Sequence, residues 1–297
     1  MDELHEFVEM SKYAGERFDL VQAGGGNTSV KLDTGEMYIK ASGYLLSEVN
    51  NTNGYAVVGN SKVIDVIVSK SVLSISDKRE RDQKASAEVL QTMIEEGPRP
   101  SIETFLHALL LKYTLHVHSI SVNILTSHKN WKEKVMLLGD DVLPIKYMTP
   151  GIDLAIEMNN EINAYKKEKG TIPKIICLQN HGLIVTSNIY SEIEEIMESV
   201  VIKAETLCEI DLEKYRYTTQ LSKVINNFSN DIQITYLAND SYLKEALKVN
   251  IENFRLKPFC PDGYVFCGYK ALELEATKPL ETQIKEYIIN FKDVPKV

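Results

Sequence analysis

The chain has 297 residues, enough for one large domain or one domain with an appendage. A formal net charge of -9 with 44% hydrophobic residues describes a globular protein with a real core, without the basic face of a nucleic-acid binder. No run of about 18 apolar residues is present, so no membrane-spanning helix is expected. The acidic start Met1-Asp2-Glu3-Leu4-His5-Glu6 lacks the basic, apolar leader of a secretory signal.

In chain order, Leu4, Phe7, Val8 and Ala14 predict a short helix near residues 2–17. The run Gly24-Gly25-Gly26 follows. Asn27 to Lys31 and Glu36 to Lys40 read as two strands around a turn at Asp33-Thr34-Gly35, and Ser42-Gly43 breaks the second. Tyr55 to Gly59 and Val63 to Val68 read as further strands. Lys78 to Glu96 is a charged helix stopped by Gly97-Pro98. A second helix is expected from Ser101 to Tyr113, with Ser101 as its N-cap. Leu115 to His118 is a short strand, and Ser119 caps a helix reaching Ser127.

Lys174 to Leu178 and Leu183 to Val185 are strands hinged at Asn180-His181-Gly182. A long helix from Tyr190 to Ile210 carries Ile193, Ile196, Met197, Val200, Val201 and Ala204 at core spacing. From Thr218 the character changes. Asn226 to Asp231 reads as a loop or linker, Tyr242 to Phe254 as a helix and Tyr264 to Cys267 as a strand. Several strands joined by short turns imply an α/β fold, with layers of helix on a mostly antiparallel central sheet. The expected division is a metal-binding domain over 1–215 and a small α/β extension over 216–297 packing on it. Cys177, Cys208, Cys260 and Cys267 show no CxxC spacing and read as reduced thiols of a cytoplasmic protein.

The chain has only six histidines, and three fall in an HxH pair and an NHG turn. On a strand, residues two apart share a face, so His116 and His118 project together while Leu115 and Val117 enter the packed layer behind. Two such imidazoles can share a cation at the ~2.0–2.1 Å bond length of zinc. His181 is the natural third ligand, in a turn where Gly182 permits close backbone approach. Three histidines leave a coordination position open, as catalytic zinc requires. The retained positive charge can stabilise an enediolate formed from a carbonyl with an adjacent oxygen. Glu103, thirteen residues before His116, is placed to shuttle the proton, or else is a favourable carboxylate at a helix start. His107 shares its helix face and orients Glu103, lines the pocket or serves the structure. His5 and His128 receive no role.

Gly24-Gly25-Gly26-Asn27 is not GxGxxG, and a strand rather than a helix follows it, so the dinucleotide-binding context fails. It reads as a loop whose amides, with the Asn27 side chain, approach an anionic or polyol substrate, or simply as a tight turn. Ser42-Gly43 after Lys40 is a second such turn, and Ser101 a third contact.

These stretches together resemble the class II aldolase/adducin family. The matching segments are GGGNTSVK from Gly24, KASG from Lys40, PSIETFLH from Pro100, LHVH from Leu115 and QNHGLIV from Gln179. They span roughly Gln22 to Glu209 in the family's order. The resemblance implies an α/β/α sandwich with a mostly antiparallel sheet. It implies His116, His118 and His181 as Zn2+ (or other divalent-metal) ligands and Glu103 as catalytic acid/base. Asn27, Lys40, Ser42, Gly43, Ser101 and His107 are the substrate-side residues. Aspartate stands at the Glu103 position in the family's epimerases, so glutamate favours carbon–carbon cleavage.

Ile102 departs from the second serine of the simple phosphate aldolases and cannot donate to a phosphate. SIETFLH and the stretch Phe259 to Gly268 are closer to a longer branch, which includes the aldolase half of rhamnulose-phosphate aldolase/dehydrogenase fusions. Family aldolases borrow a tyrosine to protonate the leaving aldehyde oxygen, for which Tyr264 and Tyr269 are the candidates.

The expectation is a zinc-dependent, carbon–carbon lyase of carbohydrate metabolism, cleaving a small ketose or ketose phosphate through a metal-stabilised enediolate. It is expected in the cytoplasm as a homo-oligomer, a tetramer by family habit, without nucleic-acid or membrane partners. The alternatives are dehydration, decarboxylation or epimerisation of a sugar or sugar acid at the same site, or a non-catalytic, adducin-like interaction protein.

Overall fold

The structure, a computed structural model, describes residues 2–229, 232–255, 258, 260–275 and 277–295. The chain divides into two compact units, Met1–Asp211 and Leu212–Val297. The first contains α1 (Glu3–Gly15), β1 (Asn27–Lys31), β2 (Glu36–Lys40), β3 (Tyr55–Gly59), α2 (Asn60–Val68), α3 (Lys70–Leu73), α4 (Lys78–Leu90), α5 (Thr104–Ala108) and β4 (Tyr113–Val117). After these come α6 (Ile120–Thr126), α7 (Trp131–Met136), β5 (Val142–Ile145), α8 (Ile152–Lys169), β6 (Ile175–Leu178), β7 (Gly182–Ser187) and α9 (Ser191–Cys208).

The strands form one seven-stranded sheet in the order β3-β2-β1-β4-β7-β6-β5. Every pairing is antiparallel except β5 with β6. Alternation along the strands builds two separate cores. Leu115, Val117, Leu183 and Val185 pack on one face with Phe7 of α1, Val122 of α6, Val135 of α7 and Met197 of α9. Met37, Ile39, Ile176 and Ile184 pack on the other with Val63 of α2, Val89 of α4, Phe105 of α5 and Met158 of α8. The result is an α/β/α sandwich with a mostly antiparallel sheet.

Several local expectations are corrected. Residues 63–68, β-branched and read as a strand, lie in α2. Their buried members Val63, Val66 and Ile67 recur at helical spacing, and that burial outweighs the strand preference. The helix expected to reach Glu96 ends at Leu90, because the chain then turns onto the sheet edge. There the amide of Gly59 donates to the Thr92 carbonyl at 2.9 Å, and that of Ile94 to the Val57 carbonyl at 2.9 Å. The helix expected from Ser101 to Tyr113 shrinks to the five residues of α5.

Sequence reading missed β5 and the crossover helix α8. Pro144 disguises the strand, and it is tolerated because β5 is a sheet edge. The parallel β5–β6 pair requires a long crossover, which α8 supplies.

In the second unit lie α10 (Glu213–Asn226), α11 (Ser241–Arg255), α12 (Pro261–Cys267) and α13 (Leu280–Phe291). The strand expected at Tyr264 to Cys267 is part of α12 instead. Pro261 occupies its first turn and the Cys260 sulfur accepts the amide of Gly263 at 3.3 Å, a helix-starting arrangement. Of the expected loop from Asn226 to Asp231, Asn226 closes α10, and Asn230 and Asp231 lie outside the described residues. Cys177, Cys208 and Cys260 are free thiols. No helix among the described residues is long and apolar enough to cross a membrane.

Candidate metal centre

Strand alternation places Leu115 and Val117 in the first core, fully buried, and turns His116 to the opposite face of β4. His118, one residue past the strand, returns its ring to His116, with centroids 5.1 Å apart. His181 stands in the β6–β7 turn, which Asn180 allows by adopting the left-handed conformation at φ 53°. Because β7 pairs with β4 at Val117↔Leu183, that turn falls beside the HxH pair. The His181 ring lies 4.9 Å from that of His116 and 5.2 Å from that of His118.

Glu103 immediately precedes α5. Its amide donates to Ser101 Oγ at 3.3 Å, and its carbonyl accepts the amides of Leu106 and His107 at 2.9 and 3.2 Å. Its carboxylate faces the histidines, with Oε2 3.2 Å from His116 Nδ1 and Oε1 3.3 Å from His181 Nε2. One ligand atom each from Glu103, His116, His118 and His181 falls within 4.8 Å of the others. The structure therefore brings the four together from three separate chain segments.

The donor chemistry fits a divalent cation. Despite the close approach of Glu103, neither ring nitrogen of His116 is aligned for a hydrogen bond. Nε2 of His118 and Nδ1 of His181 are likewise buried without one. Such orphaned nitrogens cost free energy unless another group takes up their lone pairs, and a metal ion does so. Burial, reinforced by His116, pushes His118 down to about 4, which keeps it neutral as a ligand must be. Burial pushes the Glu103 carboxyl up, but His116 and His181 outweigh it and hold the group well below the usual carboxylate range.

Two glycines allow this crowding. A Cβ at Gly25 would stand 2.8 Å from His118 Nδ1, and one at Gly182 would stand 2.4 Å from the Val117 carbonyl oxygen. The glycine-rich loop thus packs directly against a histidine of the cluster, a contact that sequence reading had not assigned to it.

Around the cluster, Asn27 lies opposite His116 across β1–β4, fully buried, with Oδ1 and Nδ2 both unpartnered. Ala41 bridges Pro100, and the Ser42 amide donates to the Arg99 carbonyl at 2.8 Å. That contact sets the exposed Ser42-Gly43 turn beside the segment leading to Ser101. Gly43 is required there by its φ of +86° rather than by crowding. Lys40 is buried. Burial pushes its amine down, Glu103 and Glu48 oppose that, and its Nζ donates weakly to Ala41 at 3.4 Å.

Ser101 is not the N-cap expected, since α5 starts at Thr104 with Glu103 at the cap position. His107, like Asn27, is fully buried, and its Nε2 has no hydrogen-bond partner. Its Nδ1 lies 2.8 Å from Ser29 Oγ, and burial pushes it down to about 3.

Two residues that sequence reading passed over support α5. Ser29 holds His107, and the Lys31 amine donates to the carbonyls of Ala108 and Leu110. Their spacing from Asn27, two and four residues along one strand, was the available signal. Tyr264 and Tyr269 belong to the second unit, where their rings sit 6.1 Å apart.

A seven-stranded α/β/α sandwich carries at its central strands a Glu/His cluster that could hold a metal ion. The sequence matches the class II aldolase and adducin N-terminal domain over residues 5–212, and the chain belongs to that family. Its fold is similar to the N-terminal class II aldolase domain of a conserved protein from Thermoplasma acidophilum. That match has 27% identity and a TM-score of 0.58, covering 70% of this chain and 94% of that one. It is also similar to an L-fuculose 1-phosphate aldolase, at 16% identity, TM-score 0.48, and coverage of 84% and 96%. A sugar-phosphate aldolase from Thermotoga maritima matches at 13% identity, TM-score 0.47, and coverage of 78% and 98%. A search of curated protein sequences finds no match.

Proposed function

We propose that the protein is a zinc-dependent, class II aldolase-like lyase that cleaves a small ketose or ketose phosphate by retro-aldol chemistry. The observation that carries this reading is the convergence of Glu103, His116, His118 and His181 within 4.8 Å, on a family fold. His116, His118 and His181 would hold the cation. When bound, it supplies Lewis-acid charge to a substrate carbonyl and the oxygen beside it.

The chain's own residues do the rest. Glu103, ionised at neutral pH, takes the proton from the substrate hydroxyl and returns one to the cleaved carbon. Asn27 offers an unspent amide beside His116 to a substrate oxygen. Lys40, Ser42, Gly43 and Ser101 form the polar side of the substrate pocket. The fully buried strands β4 and β7 beneath the cluster exclude water from that side. The free thiols Cys177 and Cys208 suit a reducing cytoplasm, and the family resemblance supports a homo-oligomer, taken here as a tetramer.

The test is metal content by elemental analysis together with product analysis on a panel of ketoses, ketose phosphates and sugar acids. Aldehyde and ketone fragments from a ketose establish cleavage. A dehydrated, decarboxylated or epimerised product instead would assign the site to that reaction, and a metal-free protein with all three histidines intact would refute the reading.

A further inference from the structure

We propose that the Ser29–His107 hydrogen bond is a positioning device: it fixes Glu103 against the metal-binding histidines. This rests on the metal-site reading above and assigns His107 a role other than substrate contact. Glu103 and the histidines sit on different elements, so something must set the gap between carboxylate and imidazoles. α5 has only five residues and cannot hold its own orientation by length.

Strand β1 supplies the reference. It pairs with β4 in fixed register, Asn27↔His116 and Ser29↔Thr114, so its position relative to His116 is set by backbone hydrogen bonds. From the same strand, Ser29 holds His107 at 2.8 Å, and Lys31 takes the carbonyls of Ala108 and Leu110. His107 lies in the turn that begins at Glu103, whose carbonyl accepts the His107 amide at 3.2 Å. A bond from β1 to His107 therefore fixes the turn carrying Glu103 to the strand that also carries the register of His116.

The bond is fully enclosed: Ser29 and His107 are each 0% exposed. Water cannot compete with it, so its loss would not be masked by a solvent substitute. The His107 ring centroid is 6.5 Å from that of His116, beyond metal-ligand contact for one shared cation but next to the cluster. His107 thus acts through Glu103 rather than on the metal.

The test uses the full chain, with Zn2+ affinity measured against a chromophoric chelator and Co2+ absorption as a coordination signature. Circular dichroism checks the fold of each variant. Ser29→Ala and His107→Leu should each weaken Zn2+ about tenfold and shift the Co2+ bands, while His107→Asn, which keeps a nitrogen at the Nδ1 position, stays within about threefold.

The discriminating arm is a double-mutant cycle. In a Glu103→Gln background, Ser29→Ala should add no further loss, because the residue it positions has already been replaced. Unchanged Zn2+ affinity and Co2+ spectrum in Ser29→Ala, or a loss that simply adds to that of Glu103→Gln, would overturn the proposal while leaving the metal site standing. A natural protein that takes up no Zn2+ would overturn both.

Discussion

Asn27 and His116 face each other directly across the β1–β4 pair, both fully buried on the same side of the sheet. Directly opposed residues on adjacent strands are near neighbours, so the amide lies against the imidazole that anchors the cluster. Neither Asn27 Oδ1 nor Nδ2 has a hydrogen-bond partner. An unsatisfied buried amide is a functional cost carried by the fold, and about 1–3 kcal/mol is its usual size. Asn27→Leu, which keeps the branching at Cγ and removes the polar atoms, should therefore raise stability by about 1 kcal/mol while abolishing turnover. Urea denaturation and a cleavage assay measure the two effects. A destabilised variant that keeps full activity would show that Asn27 serves the fold instead.

The glycine-rich loop yields a matched pair of variants. A Cβ at Gly25 would meet His118 Nδ1 at 2.8 Å, whereas one at Gly24 meets nothing within 4 Å. Gly25→Ala should displace the His118 ring and weaken Zn2+ by at least about tenfold, with Gly24→Ala indistinguishable from the natural protein. Chelator competition reads both. Equal affinities would mean that the loop yields without moving the ring.

Metal binding should also be visible as stability. A cation that binds only the folded chain contributes about 2.7 kcal/mol at a free concentration one hundred times its dissociation constant. Adding EDTA should lower the melting temperature of the natural protein and leave that of His118→Ala unchanged. His118 is only partly buried, so that variant is expected to fold. If EDTA shifts both melting curves equally, the stabilising ion lies elsewhere.

The site was more legible than its scaffold. His116, His118, His181 and Glu103 stood out by residue type and spacing, and the strand period predicted that the HxH pair would share a face. The α5 segment was harder. Its helix-like residues Thr104 to Ala108 run on through Leu109, Leu110, Leu111 and Lys112 without a glycine or proline, yet α5 ends at Ala108 and β4 begins at Tyr113. Ser29 and Lys31 carry no motif of their own, and only their spacing from Asn27 along β1 marked them as sharing its face. What they touch is set by tertiary register, not by neighbours in sequence. For α2 a local preference misled. Its β-branched content suggested a strand, and the helical spacing of Val63, Val66 and Ile67 decided otherwise.

His107 and His118 also set how the metal-free protein responds to acid. Burial pushes His107 down to about 3 and His118 down to about 4, against the ordinary histidine value near 6.5. Below about 6.5 the unfolded chain therefore binds protons that the folded chain refuses, so stability falls as pH drops through that window. Glu103 acts in the same direction. Its folded value is depressed, so its contribution is present above its ordinary value of 4.5 and is lost as pH falls further. Each histidine contributes at most about 1.4 kcal/mol per pH unit between its two values. With EDTA present, the urea midpoint should decline steadily from about pH 7 to about pH 4.5, and His107→Leu should reduce that slope. A midpoint that stays flat or rises on acidification would mean that the folded chain accommodates protonated rings at His107 and His118.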